Sequence, residues 1–443
     1  VVSADAVALE PLTSLVELLR ARTIGSRELL ELYLSRIDRL NPSLNAVVTL
    51  GAEAARRRAD EADGAASRGD WWGPLHGVPI TVKDAIATAG LRTTGGATEL
   101  ADHVPATDAT VVARLRAAGA IVFGKTNLPK WSLDYQTGND LFGVTHNPWD
   151  LTRTPGGSSG GAGAAVAAGL TAFEVGTDLG GSVRLPSNWC GVFGFKPTFG
   201  AVPTDGYLDR IGGSGDVVDG NHFGPLARGV RDLALVHGVI ADDPRGGPDP
   251  LSSLDAYRIG TWLDDPAAPV SSLVRDVHRV AVDAWKAGGA RIDDSHPAVD
   301  FEAARAYSGP FIGRALAGSD PNVDDDTRAA LRASWRDWFE HHHALLQPIS
   351  IVTAPAHDPE PRVVDRTVDV DGVSRSAVLL TAWTAPINVL GLPSAVVPVG
   401  LAADGLPVAL QVIGPWGHDR RVLDLAARLA DVHGGYVPPS LAR

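Results

Sequence analysis

The chain has one cysteine, Cys190, and no methionine. A lone thiol excludes an intramolecular disulfide, so a chain of 443 residues must rest on its apolar core, as in a protein of a reducing compartment. Long hydrophobic runs are missing too, which excludes a membrane-spanning helix. Residues 1–9 lack the charged and apolar regions of a secretory signal, and a cytoplasmic location is the expectation. Basic charge is scarce: 39 Lys and Arg stand against 52 Asp and Glu, a formal net charge of −13. That balance argues against a nucleic-acid binder, which needs a basic face. No internal repeat or low-complexity tract interrupts the sequence.

What is present is a globular pattern, 44% hydrophobic and 21% charged. Residues 26–40 read as a helix, with Leu29, Leu30, Tyr33, Leu34 and Ile37 at helical spacing, Ser26 as N-cap and Pro42 beyond its end. Residues 78–82 alternate as a strand and deliver Lys83. A helix is predicted over 109–118, a strand over 120–123 and a small-residue helix over 160–169. Val277, Ala281, Ala284 and Trp285 mark a further helix that Gly288 and Gly289 stop. Strands are expected at 349–354, 395–399 and 408–413, and a last helix around Val422 to Leu429. Helices and strands alternating over the whole length predict an α/β fold, layered α/β/α around a large central mixed, mostly parallel sheet. Residues 1–443 are read as one domain. The Asp-, Pro- and Gly-rich stretch 242–253 is a surface loop on this reading and a boundary on the other.

Two glycine-serine clusters carry the chemistry. The first is Thr154-Pro155-Gly156-Gly157-Ser158-Ser159-Gly160-Gly161, and the second is Gly176-Thr177-Asp178-Leu179-Gly180-Gly181-Ser182-Val183-Arg184. Glycine lets backbone approach a ligand and aim successive N–H groups at an anion. Neither cluster has the Lys-Ser/Thr of a P-loop or the spacing of a dinucleotide fingerprint. Gly156 to Gly160 fits G-x-S-x-G, which would make Ser158 the nucleophile of an α/β-hydrolase-like esterase with His222, His237 or His278 as base. Lys83, at the end of an apolar strand, must be paired, with Asp84 the adjacent choice, or lose its charge and become a base. Cys190 has no basic neighbour in sequence and reads as packing. His341, His342 and His343, placed on a helix, would point about 100° apart and could not share one ion, so no metal is expected.

The segments Gly77-Val78-Pro79-Ile80-Thr81-Val82-Lys83-Asp84, Pro155 to Gly161, Gly176 to Pro186 and Cys190-Gly191-Val192-Phe193-Gly194-Phe195-Lys196-Pro197-Thr198 together resemble the amidase signature family. The separations, 158 − 83 = 75 and 182 − 158 = 24, match that family's. Asn147-Pro148-Trp149-Asp150 and the stretch from Gly391-Leu392-Pro393 to Gly414 look like family segments as well, so the likeness runs from about residue 10 to 432. It implies a Ser-cisSer-Lys triad: Ser182 attacks the carbonyl to form an acyl-enzyme, Ser158 relays the proton, and a neutral Lys83 is the base. It implies an oxyanion hole from the N–H groups of Leu179, Gly180, Gly181 and Ser182, with Asp178 and Arg184 bracing the loop.

By the same likeness, Trp131, Leu133, Tyr135, Leu141 and Phe142 border the acyl pocket; Tyr207 with the loop 204–223 is expected as the other wall, in a region that varies within the family and that the likeness does not place. The expected substrate is a small carboxamide, aryl amide, carbamate or ester, with no cofactor, no nucleic acid and no membrane. A homo-oligomer remains open. Some family members are glutamine-dependent amidotransferase subunits that need partner proteins. Leu185 before Pro186 departs from the polar residue those subunits carry, and the segment after Thr198 departs too, which favours a free-standing hydrolase.

Overall fold

The computed structural model describes residues 4–208, 218–244, 246–316, 326–358 and 362–442. Strands β1 (Val47–Leu50), β2 (Pro79–Lys83) and β3 (Ile121–Thr126) make a small sheet in the order β1-β3-β2. A larger eight-stranded sheet holds β4 (Glu174–Asp178), β5 (Phe193–Lys196), β6 (His222–Ala227), β7 (Arg258–Thr261), β8 (Arg291–Asp293), β9 (Ala344–Pro348), β10 (Ser394–Leu401) and β11 (Pro407–Ile413). Its order is β8-β7-β9-β11-β10-β5-β6-β4. The small sheet meets it at the β4 edge, where β2 runs beside β4 and the Thr81 N–H donates to Thr171 Oγ1 at 3.0 Å. Helices Val230–Ile240 and Asp419–Val432 pack on each other and over β6 and β10. Helices Gly160–Ala167 and Arg184–Cys190 pair with each other, the second lying on β5, β10 and β11.

The sheet is mixed, but the expected parallel majority is absent. Only the β8–β7 and β7–β9 pairs are parallel, and the remaining neighbours are antiparallel. Two features of the connections explain this. A tight turn, closed by Ala402 N–H to Leu406 O at 2.9 Å, joins β10 directly to β11, and only antiparallel strands accept so short a link. The helix between β4 and β5 does produce the parallel crossover, yet β6 then inserts between those two strands and runs antiparallel to both.

Several element ends also move. The helix expected over 26–40 spans Ser26–Leu44, with Pro42 inside its last turns. Ser26 is not its cap. The Asp63 carboxylate, reaching from the helix Ala52–Ser67, accepts the Ser26 N–H at 2.6 Å and the Arg27 N–H at 3.0 Å. Replacing Asp63 by alanine is expected to lower the unfolding free energy by about 1 kcal/mol, the usual worth of a lost cap. It would show as a lower denaturant midpoint at unchanged m-value, with activity intact.

The strand expected at 349–354 lies at Ala344–Pro348 instead. The helix Asp326–Phe339 ends before the three histidines, so His341 to His343 sit in the turn between helix and strand rather than on a helix. There His342 stacks on Trp338 at 4.2 Å, and His343 Nδ1 accepts the Arg258 N–H at 2.9 Å. The stretch 242–253 is tied to the helix Asp419–Val432: Arg421 Nε donates to Asp249 O at 2.7 Å and Arg428 Nη2 to Leu251 O at 3.1 Å.

The helix Gly160–Ala167 is built wholly of buried Gly, Ala and Val. Its composition follows from how closely it approaches the end of β3: a methyl group on Gly161 would fall 2.4 Å from Asn127 N. This close approach seats the first glycine-serine cluster against the end of β3, the strand that pairs with β2 and so lies beside Lys83.

Candidate active site

Lys83 ends β2 with no exposed surface, and its Nζ lies 2.7 Å from Ser158 Oγ and 2.7 Å from Thr177 Oγ1. The Asp84 pairing does not form. Asp84 turns to Thr94, accepting its N–H at 3.1 Å and its hydroxyl, and burial pushes its carboxyl up to about 6 against the pull of Lys125. Burial drives the Lys83 ammonium well below its ordinary range, while Asp178 and Glu174 pull the other way. Neither carboxyl pulls hard. Glu174 is itself buried, and its pKa is pushed up to about 8 despite a hydrogen bond from Thr126 and the nearby Lys125, so it is mostly protonated at neutral pH. Asp178 spends its charge on Arg184. Burial of an amine without an ion-pair partner favours its neutral form, which carries a lone pair.

The Gly157–Ser158 peptide is cis. It lies on the Asp134–Tyr135 backbone so closely that a methyl on Gly157 would sit 2.6 Å from Asp134 O. One residue on, Ser159 joins the two clusters. Its N–H donates to Ser182 O at 3.1 Å, and its Oγ bridges Thr177 O and Thr177 N–H at 3.3 Å each. Ser158 is thereby held against Lys83 on one side and the Ser182 loop on the other.

The Ser182 loop hangs from Asp178 at the end of β4. The Asp178 carboxylate accepts Gly181 N–H at 2.8 Å, Val183 N–H at 3.0 Å, and Arg184 Nε and Nη2 at 3.1 and 3.0 Å, and both partners of the ion pair are fully buried. Burial opposes this charge, but the guanidinium and the amide of Asn388 overcome it and hold the carboxyl well below the usual carboxylate range. Asn388 Nδ2 also donates to Asp178 O at 2.9 Å and Gly220 O at 3.1 Å, Arg184 Nη1 reaches Gln411 Oε1 at 3.1 Å, and Thr384 Oγ1 donates to Gly180 O at 2.6 Å.

Of the four N–H groups expected to face an oxyanion, that of Gly181 is committed to Asp178. Those of Leu179, Gly180 and Ser182 have no acceptor among the described residues. Ser182 is partly exposed, and its hydroxyl has no partner among the described residues.

Other candidates fall differently. Among the described residues no histidine bonds Ser158. His222 Nε2 lies 3.2 Å from Lys196 Nζ, His237 packs on Phe195, and His278 Nε2 meets Ala409 O at 3.1 Å. Cys190 is buried, its thiol pushed upward by desolvation.

The five proposed pocket residues have different surroundings. Trp131 is partly buried, and its ring would touch a methyl on Gly95 at 3.0 Å; the Gly95 N–H in turn donates to Asp84 O at 2.8 Å, next to Lys83. The Tyr135 ring is buried edge-on against Trp189, with the Arg366 guanidinium 5.3 Å from its centre, so its face is already covered. Leu133 is 56% exposed, Leu141 is partly buried, and Phe142 lies under Arg92. Tyr207 packs on Phe223, while residues 209–217 of the expected second wall lie outside the described residues.

Sequence reasoning missed Thr177, Glu174, Thr384, Asn388 and Gln411. Thr177 was within reach, standing inside the second cluster. Gln411, a lone amide in an apolar strand, carried a weaker signal. Thr384 and Asn388 are about 200 positions from the groups they hold and left none.

A buried amine, a buried hydroxyl against it and a partly exposed hydroxyl beside backbone N–H groups without acceptors among the described residues give, on an α/β frame, the groups that a serine-hydrolase type of site uses. The amidase family model matches residues 28–311 and 322–423. The chain is 33% identical to the acylamidase of Rhodococcus erythropolis, over 95% of this chain and 94% of that one. It is also 33% identical to a glutamyl-tRNA(Gln) amidotransferase subunit of Roseiflexus sp. (strain RS-1), over 94% and 96%. The crystal structure of a bacterial aryl acylamidase superposes with a TM-score of 0.81 at 26% identity, covering 96% of each chain. The chain therefore belongs to the amidase signature family, and it is an amidase, a hydrolase of linear amide bonds.

Proposed function

We propose that the enzyme cleaves a small-molecule amide through an acyl-enzyme on Ser182, with Ser158 as proton relay and Lys83 as base. The observation that carries this is the fully buried Lys83 amine, 2.7 Å from Ser158 Oγ and without an ion-pair partner among the described residues. A serine hydroxyl attacks only when a base takes its proton, and an uncharged buried amine relayed by Ser158 supplies one. As Ser182 Oγ bonds to the carbonyl carbon, its proton passes to Ser158 and the Ser158 proton to Lys83. The oxyanion is met by the N–H groups of Leu179, Gly180 and Ser182, while Gly181 holds the loop to Asp178. The relay then runs backward, delivering the proton to the departing amine, and water repeats the cycle on the acyl-enzyme.

The test is acyl-enzyme trapping with matched amides, carbamates and esters followed by peptide mass mapping. A mass increment on Ser182 supports the reading, and one on Ser158 would replace it with the esterase mechanism. The amidotransferase reading has the similarity to the Roseiflexus protein in its favour. Glutaminase activity that appears only with added partner proteins would establish it. Hydrolysis of simple acyl amides by the chain alone would favour an acylamidase-like role.

A further inference from the structure

Helix Phe301–Leu316 brings one side chain, Ile312, to the Ser182 loop, and nothing in the sequence motifs pointed to it. The helix is fixed along its length. Phe301 packs on Trp383 at 4.5 Å and on Trp262 at 5.1 Å, while Phe311 is buried, its ring 4.6 Å from the Arg328 guanidinium and within contact of Gly220. Arg328 forms a buried ion pair with Asp219 at 2.6 Å. Next to Phe311, Ile312 is only partly buried, and its Cδ1 would lie 3.3 Å from a methyl group built on Gly180. Gly180 also stays partly exposed, its carbonyl tied down by Thr384 and its N–H without an acceptor among the described residues.

We infer that Ile312 is a specificity-determining residue, the apolar stop against which the acyl half of the substrate rests. The inference rests on Ser182 as nucleophile. The leaving amine must be reached by the proton held between Ser158 and Lys83, so the acyl group takes the remaining room beside the carbonyl, and Ile312, close to Gly180, is the apolar side chain set to border it. A β-branched side chain at that height limits width beside the carbonyl. Because it offers no hydrogen bond, it favours slender, uncharged alkyl acyl groups over branched or charged ones. Pockets of this kind discriminate by roughly 10- to 200-fold per methylene.

The experiment uses 4-nitrophenyl esters of acetic, hexanoic and 2,2-dimethylpropanoic acids, which share a leaving group and differ only in the acyl part. Acylation is followed by 4-nitrophenol release and by intact mass. In Ile312→Ala the rate on the branched ester relative to acetate should rise about tenfold over wild type, and in Ile312→Phe the same ratio should fall. Opposite movement in the two variants is something a merely structural role would not produce. Ratios within twofold of wild type in both variants, or displaced in the same direction in both, would overturn the inference. The underlying mechanism is judged separately: an adduct on Ser182 in wild type together with unmoved ratios removes Ile312 alone, whereas an adduct elsewhere removes the nucleophile assignment.

Discussion

Replacing Lys83 by alanine is expected to reduce amide hydrolysis by roughly 100- to 10,000-fold, the range for a lost general base, and to harm ester hydrolysis less. An alkoxide or phenolate departs without help, whereas an amine leaves only after protonation, and on the proposed mechanism the proton it needs is the one Lys83 stores. The pH profile carries the same signature. On the proposed mechanism the working form is the neutral amine, so activity should rise as Lys83 loses its proton, along a limb that lies below the ordinary lysine value of 10.5 because burial depresses the group. Residual ester turnover in the variant should lack that limb. Near-normal amide turnover would end the base assignment.

Stability gives a second readout. Between the depressed folded value and 10.5, the unfolded lysine binds a proton that the folded one refuses, so stability from this group grows with pH and is lost as pH falls. Glu174 slopes the opposite way. Raised from 4.5 to about 8, it favours the folded state at low pH and loses that contribution as pH rises through about 8. Comparing wild type with Lys83→Ala above pH 8 therefore isolates the lysine.

How much of this was legible in the sequence depends on distance along the chain. Lys83, Ser158 and Ser182 stand in short motifs, where the glycines and the end of an apolar strand announce unusual backbone and a buried amine. The local periodicity of Ser272–Ala287 and Asp419–Val432 likewise marked those helices. The parallel majority did not follow, because periodicity reports which face is buried and not which strand lies next door. The insertion of β6 between β4 and β5 is a long-range choice. The N-cap at Ser26 misled for a related reason: a serine at a helix start is a good local cap, yet Asp63, 37 positions away, takes the task. The aromatic stretch 131–142 shows the same limit. Type alone does not separate Tyr135, packed on Trp189, from Trp131, whose ring lies against Gly95.

Removing the carboxylate of Asp178 by alanine should cost about 3–5 kcal/mol, since it strands the buried Arg184 charge, and it should abolish acylation of Ser182 as well. Among the described residues, Arg184 would keep only the neutral oxygens of Gln411 and Asn388. The N–H groups of Gly181 and Val183 would lose their anchor, freeing the loop that presents Ser182. Against a typical total stability of about 5–15 kcal/mol, that loss threatens folding itself. The reverse deletion is milder. In Arg184→Leu, Asp178 still receives the N–H groups of Gly181, Val183 and position 184 and the Asn388 amide, four donors that continue to hold both the anion and the loop. Denaturant unfolding of both single variants and of Asp178→Ala/Arg184→Leu separates charge from architecture. If stranded charge dominates, the double variant regains stability over Asp178→Ala, because no ion remains unpaired, yet it still fails to acylate, because the anchor of Gly181 is gone. A double variant no more stable than Asp178→Ala would mean that the loop anchor carries the stability too, and equal losses in the two single variants would contradict the asymmetry of the donors around Asp178.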